Sequence, residues 1–302
     1  MPLKERNNGC KLKESEPISG KKSAVRMGEL DALRGIAALV VVFFHFTMDK
    51  EQYNTIYKLG TTGVDLFFMI SGFVIFMSLN AISRSMQFFI NRFSRLYPAY
   101  WAAVTLTFLL ILAVRIMRHT PINIFYVTKK YIANLTMLQF YLGVPNIDSP
   151  YWTLLIELLF YAAMLMLYKF KLLKHVNVIG IVIILFTTIS VGFLYNFYPV
   201  QKVLKFIPLL QFAPLFLAGI NFYKLYTNKQ SELKNYLIII FCLLAQISLF
   251  KYIGRSKSYI NIYEYAGMLS LYFILFTAFI GHRLHFIVGT HFFSAKYLMH
   301  YM

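Results

Sequence analysis

Long apolar runs recur along this chain of 302 residues, and they constrain its fold more than any other feature. A run of about 18 residues or more can cross roughly 30 Å of hydrocarbon as a single helix. The composition agrees, because 59% of the residues are hydrophobic and only 14% are charged, whereas soluble domains average about 45–50% and about 25%. The sequence therefore predicts an all-α, polytopic transmembrane helical bundle and excludes a soluble globular domain.

Eight apolar windows mark the predicted membrane spans. They cover residues 29–48, 63–80, 96–114, 151–168, 177–197, 203–222, 236–250 and 262–281. The segment 1–28 is polar and rich in lysine and arginine. We interpret it as a basic cytoplasmic tail that precedes one integral-membrane domain over 29–302.

The basic residues give the expected orientation. The chain carries 30 Lys and Arg against 12 Asp and Glu, and such residues concentrate in cytoplasmic loops and meet anionic lipid. With the tail inside, the inner segments hold 18 basic residues and the outer segments 11, but without the tail both sides hold 11. We expect a cytoplasmic N-terminus, with membrane lipid and not nucleic acid as the partner of this charge.

Several ionisable residues lie within the predicted spans. A charged side chain at mid-bilayer costs about 2.5–3.5 kcal/mol on insertion scales, so each one is a functional-site hypothesis. Four carboxylates, one arginine and one histidine are in or at the mouth of a span: Asp31, Asp65, Glu157, Glu264, Arg34 and His45.

Arg34 and His45 are eleven residues apart on the first predicted helix. At about 100° per residue they lie within roughly 20° of one line and about 16 Å apart along the axis. This spacing predicts a fixed cation near the inner surface and an imidazole deep in the bundle, with Asp31 able to pair with Arg34 at i, i+3. Snorkelling of the arginine to the headgroups and a packed histidine are the alternatives.

Two later segments add further candidates. In the loop after the second span, Arg92 and Arg95 are one helical turn apart, which suits a phosphate because arginine binds oxyanions bidentately; ordinary charge flanking of a span is the alternative. Glu157 lies about two turns inside the fourth span, where a carboxylate needs a partner or a proton.

These segments resemble the motifs of the acyltransferase-3 family of integral-membrane acyltransferases. The similarity includes Leu-Asp-Ala-Leu-Arg-Gly with ten residues between its arginine and a histidine, Gly-Val-Asp-Leu-Phe-Phe, Arg-x-x-Arg and Trp-Thr-Leu-x-x-Glu-x-x-Phe-Tyr, with Thr where Ser is usual. In this chain they fall at residues 30–45, 63–73, 92–98 and 152–161, with a weaker match at 216–219.

The resemblance implies transfer of an acetyl or other short acyl group from cytoplasmic acyl-CoA to a hydroxyl of a cell-surface carbohydrate or lipid-linked glycan. It implies His45 as the catalytic base or acyl carrier, with Arg34 and Glu157 also catalytic. Arg92 and Arg95 are expected to hold the donor. Residues expected to support the substrate or the structure are Asp31, Asp65, Ser71, Trp152 and Tyr161.

We expect no metal and no bound cofactor, with acetyl-CoA or another acyl-CoA as a donor substrate, in a bacterial cytoplasmic membrane. The runner-up function is a proton-coupled transporter of a glycan or small anion that uses the same ionisable residues. A non-catalytic scaffold is a third reading, but it would not require an aligned arginine and histidine.

One departure from the family concerns the C-terminal region. The family carries more spans and a late Ser-Tyr-x-x-Tyr-Leu-x-His segment, which residues 289–302 do not match. We therefore expect that the reading frame is truncated or shifted after about residue 283, with weak activity or none.

Overall fold

The computed structural model describes residues 27–47, 57–82, 84–121, 123–194, 197–227, 231–252 and 260–298. These residues form α-helices, short 3₁₀ helices and turns, without any β-strand. Residues 1–26 of the predicted cytoplasmic tail lie outside the described residues. The helices are α1 (Gly28–Thr47), α2 (Gly63–Ala81), α3 (Ser85–Met117), α4 (Ile124–Leu135), α5 (Trp152–Lys169), α6 (Val176–Phe193), α7 (Tyr198–Phe206), α8 (Ala213–Thr227), α9 (Glu232–Ser248) and α10 (Ile262–Leu298).

The predicted all-α membrane bundle is confirmed. Among the described residues, six helices are long and apolar enough to cross a membrane: those containing α1, α2, α3, α5, α6 and α10. Helices α7 and α8 pass the same test only as a pair bent by 81°, which makes a seventh, broken span. The predicted eight is slightly above this count, because α9, with 17 residues, is too short to qualify.

Helix α2 lies at the centre of the bundle and is buried along most of its length. Phe68 contacts the ring of Phe216, and Phe73 contacts that of Tyr223, so α2 and α8 run parallel and side by side. Their backbones touch at two glycines. A Cβ atom on Gly72 would lie 2.2 Å from a carbonyl oxygen of α8, and one on Gly219 would lie 2.0 Å from a carbonyl oxygen of α2. Only glycine permits this approach.

Helices α1 and α3 lie at the edge of the bundle. Most of the extensive packing of α1 is against α2 and the 3₁₀ helix that precedes it, while α3 packs against α4 and α5. Exposed apolar side chains cover the outer face of α1, in keeping with contact with lipid. These are Ile36, Leu39, Phe43 and Phe46.

Helix α3 begins at Ser85, eleven residues before the predicted third span, so Arg92 and Arg95 lie in a helix and not in the expected loop. Pro98 does not end this helix. Proline already has a helical φ angle, and inside a helix it lacks one backbone hydrogen bond and crowds the carbonyl four residues earlier. The helical segment before it fixes the two guanidinium groups one turn apart.

The glycine contact between α2 and α8 predicts the effect of one added methyl group. Gly219→Ala places a Cβ against the α2 backbone, which cannot yield as a side chain can, and should destabilise the fold by about 3 kcal/mol or more. Gly192→Ala in α6 and Gly267→Ala in α10 are matched controls, since nothing lies within 4 Å of either added atom. The measurement is the midpoint temperature for loss of monodisperse protein in detergent. An unchanged midpoint for Gly219→Ala would contradict the contact.

Candidate functional site

A cavity of about 630 Å³ lies between α1, α2, α3 and α5. It brings together residues separated by more than 120 positions in the sequence. Eight of the ten predicted site residues line it: Arg34, His45, Ser71, Arg92, Arg95, Trp152, Glu157 and Tyr161.

Arg92 is held at one end of the cavity by neutral groups. Its guanidinium donates a short hydrogen bond to the Ser78 hydroxyl, which itself donates to the Val74 carbonyl at 2.7 Å. The guanidinium carbon lies 5.5 Å from the ring centre of Phe88 and 5.8 Å from that of Tyr161, both within the range of cation–π attraction. The buried Nε has no hydrogen-bond partner among the described residues. The charge is therefore positioned without being neutralised.

The positive charge at this end exceeds the negative charge. Arg34 pairs with Asp31 as its i, i+3 spacing predicted, but the two atoms Nη1 and Oδ1 are 3.9 Å apart and both side chains are partly exposed. In the described part of the chain, neither Arg92 nor Arg95 has a carboxylate oxygen within 4 Å. With three arginines and one glutamate on its walls, the cavity favours an anionic ligand.

Glu157 links α2 and α5. Its Oε1 accepts a hydrogen bond from Ser71 at 3.1 Å and a short one from Tyr161. Within the described ranges, no residue hydrogen-bonds to its second oxygen. Arg34 interacts electrostatically with this carboxylate and with Arg95, so Glu157 belongs to the arginine end of the cavity.

His45 lies at the opposite end, in the last turn of α1. The sequence predicted an imidazole deep in the bundle. In the structure, α1 ends only two residues after His45, so the imidazole is near the end of its helix. Its ring lies 5.2 Å from that of Phe44 and makes no hydrogen bond to any residue that the structure describes. The predicted alignment of Arg34 and His45 on one helix face is confirmed, since both line the same cavity.

The wall between the two ends is mainly apolar. Val41, Val64 and Phe67 contribute to it. Trp152 also lines it and packs against Phe68 at 6.2 Å and Phe212 at 5.8 Å between ring centres. Such a wall suits an uncharged arm that connects a polyanion at one end to a reacting group at the other.

Two predicted residues lie outside the cavity wall. Asp31 stands beside Arg34 at the edge of the arginine end. Asp65 is buried, only 3% exposed, in the first turn of α2, where its charge lies near the Tyr272 hydroxyl. Asp65 therefore lies within the packed bundle and does not line the cavity.

The sequence analysis missed Ser78 and Phe88, which hold Arg92, and Thr61, which lines the His45 end. Ser78 is near the end of α2 and Arg92 is near the start of α3, on either side of the short connection between the two helices. Comparing the residues on the two sides of this connection could have predicted the contact between Ser78 and Arg92.

The family model for the acyltransferase domain, Acyl_transf_3, matches residues 27–299. The chain belongs to the acyltransferase-3 family. The family that the motifs predicted is confirmed.

Three curated proteins are similar to this chain over part of their length. A putative acetyltransferase of Acidianus two-tailed virus is 27% identical over 65% of this chain and 57% of its own length. The acyltransferase MdmB of Streptomyces mycarofaciens is 27% identical over 48% of this chain and 40% of its own. Nodulation protein 10 of Rhizobium leguminosarum bv. viciae is 29% identical over 49% and 46%. The matched part spans about half the length of these relatives. No solved structure matches the chain.

The two hydrogen bonds on Glu157 predict a difference between two substitutions. Glu157→Gln keeps an acceptor oxygen for Ser71 and Tyr161, so the thermal midpoint should stay near that of the wild type. Glu157→Leu leaves both hydroxyls without this acceptor and should cost about 1–3 kcal/mol of stability. Thermal unfolding of the two purified variants in one detergent makes the comparison, and equal midpoints would show that the network does not stabilise the fold.

Proposed function

We propose that this protein is a membrane-embedded O-acyltransferase that moves an acetyl or other short acyl group from acyl-CoA to a hydroxyl of a cell-surface carbohydrate or lipid-linked glycan. One observation carries the proposal: a single cavity has three arginines at one end and His45 at the other. Family membership supports the class of reaction, and the cavity supports the class of donor.

The donor enters with its phosphates at the arginine end. Coenzyme A carries several phosphates, and arginine recognises them bidentately. Within the described residues, the positive charge of Arg34, Arg92 and Arg95 has no close carboxylate partner, apart from the loose pair of Arg34 with Asp31. The pantetheine arm then lies along the apolar wall and brings the thioester towards His45, which is about 16 Å from Arg34 along α1.

His45 acts as the general base on the acceptor. Its neutral imidazole takes the proton of the acceptor hydroxyl as the oxygen attacks the thioester carbonyl. The tetrahedral intermediate collapses, the carbon–sulfur bond breaks, and the CoA thiolate takes that proton from the imidazolium. The ester and free CoA are the products. Thr61, at the same end, offers a hydroxyl to the developing oxyanion.

Glu157 acts at a distance from the reacting carbonyl. Its partners Ser71 and Tyr161, and its electrostatic neighbour Arg34, belong to the arginine end. Glu157 therefore positions the donor site: it orients Tyr161, whose ring also contacts Arg92, and it moderates the repulsion among the arginines.

Kinetics of two sets of variants test this assignment. Arg92→Ala and Arg95→Ala should raise the KM for acyl-CoA by about 10- to 100-fold, because each removes a charge-assisted contact to phosphate. His45→Ala should instead lower kcat by about 10²–10⁴, the usual contribution of a general base, and leave CoA binding unchanged. The measurements are acyl transfer to cell-envelope glycans and binding of labelled CoA to the purified protein.

Arg115→Ala is the matched control for these arginines. Arg115 is exposed in the last turn of α3, at the other end of the same helix, and its loss should change neither KM nor kcat. Full activity of His45→Ala, or equal effects of Arg92→Ala and Arg115→Ala, would contradict the proposed roles.

The same cavity also supports an orientation of the protein in the membrane. The positive-inside count and the arginine end together favour a cytoplasmic N-terminus in the bacterial cytoplasmic membrane, with the donor site facing the cytoplasm. Inside-out vesicles, which expose the cytoplasmic face, should transfer acyl groups from added acetyl-CoA, and sealed right-side-out vesicles should not until they are permeabilised. Donor use only in right-side-out vesicles would reverse the orientation.

A further inference from the structure

The cavity is open on one side at the depth of the membrane interior. Ala38 and Val42 line it, yet both are exposed, Val42 by 46%. The apolar span of α1 runs over Leu30–Thr47, so its centre falls beside Ala38. This edge of the cavity therefore faces the hydrocarbon layer and is removed from the cytoplasmic surface where the donor binds.

The positions of Ala38 and Val42 around α1 show that these residues separate the cavity from the lipid. At about 100° per residue, Ala38 and Val42 occupy the arc between the Arg34–His45 face and the outward face that carries Leu39. They are thus the rim between the cavity and the lipid, and they do not belong to the face that packs against α2.

The opposite rim is formed by α3 and α5, where Leu96 and Leu154 line the cavity and are partly exposed. Among the described helices, α1 makes no extensive contact with either α3 or α5. We call the gap bounded by Ala38, Val42, Leu96 and Leu154 the lateral mouth. All four residues are apolar, as a surface in contact with hydrocarbon chains requires.

We propose that the acceptor carries a hydrocarbon chain and enters through the lateral mouth from the bilayer. This inference rests on the proposed function and narrows its acceptor to a lipid-linked molecule. The donor occupies the cavity from the arginine end, so the acceptor needs a second route to the reacting carbonyl. Val42 is only about 4.5 Å from His45 along the helix axis. The acceptor hydroxyl reaches His45 through the mouth while its chain stays in the membrane.

Blocking the mouth tests the route. Membrane vesicles from producing cells receive radiolabelled acetyl-CoA, and the label is then divided between solvent-extractable lipid and water-soluble glycan. Ala38→Trp and Val42→Trp should lower the label in the lipid fraction by about tenfold or more, because an indole in the mouth keeps the acceptor from the reacting geometry. Leu39→Trp, one position away on the outward face, should stay within about twofold of the wild type.

Labelled CoA binding to the purified variants separates this inference from the proposed function. Ala38→Trp and Val42→Trp should bind CoA as the wild type does, which shows that the fold and the donor site are intact. Label confined to water-soluble glycan, or equal transfer by Ala38→Trp and Leu39→Trp, would overturn the lateral route alone. A wild type that neither binds CoA nor transfers label would overturn the proposed function and this inference together.

Discussion

The backbone contact between α2 and α8 determines how the rest of the bundle is arranged. Because Gly72 and Gly219 let the two helices touch, one face of α2 is fully occupied by α8. Its other face is left to form the cavity wall, through Ser71 among others. Ser71 and Gly72 are adjacent in sequence and about 100° apart around the helix, so they meet different neighbours: the first hydrogen-bonds to Glu157 and the second touches the α8 backbone. In a membrane, where apolar contact with lipid competes with apolar contact between helices, such close approach is a main source of specific packing.

The second organising feature is the separation of charge along the cavity. Arginines are costly in a membrane unless they have partners or water, and this protein gives Arg92 a hydroxyl and two aromatic rings. Those partners fix the position of the guanidinium but leave its charge available to a ligand. Glu157, held by Ser71 and Tyr161, lowers the mutual repulsion of the arginines without forming a close ion pair. An anion completes the electrostatics of this end, while the imidazole at the far end remains without a protein hydrogen bond in the described residues.

Much of this site was predictable because its key residues lie on single helices or in local motifs. Helical periodicity alone aligned Arg34 with His45, and the cavity confirms it. The contacts between helices were not predictable in the same way: the contact of Ser78 with Arg92 depends on how α3 leaves the end of α2, and Tyr272, which interacts electrostatically with Asp65, comes from the distant α10. The extent of α3 was underestimated because the predicted span followed the apolar window from residue 96, whereas the helix also includes the arginine-containing segment from Ser85 onwards. The count of spans was slightly high because hydropathy does not reveal the 81° bend between α7 and α8 or the short length of α9.

The peripheral position of α1 connects these features to access. A helix that carried both Arg34 and His45 and was packed on all sides would enclose the cavity, and two substrates could not then meet inside it. Here α1 is anchored to α2 along one face, by Leu30, Ala37 and Phe44, which are buried, and its remaining surface is divided between cavity and lipid. The same helix thus brings Arg34 to one end of the cavity and His45 to the other, with an apolar rim between them. Movement of α1 relative to α5 would widen or narrow that rim without disturbing the α2–α8 contact, since α1 takes no part in it.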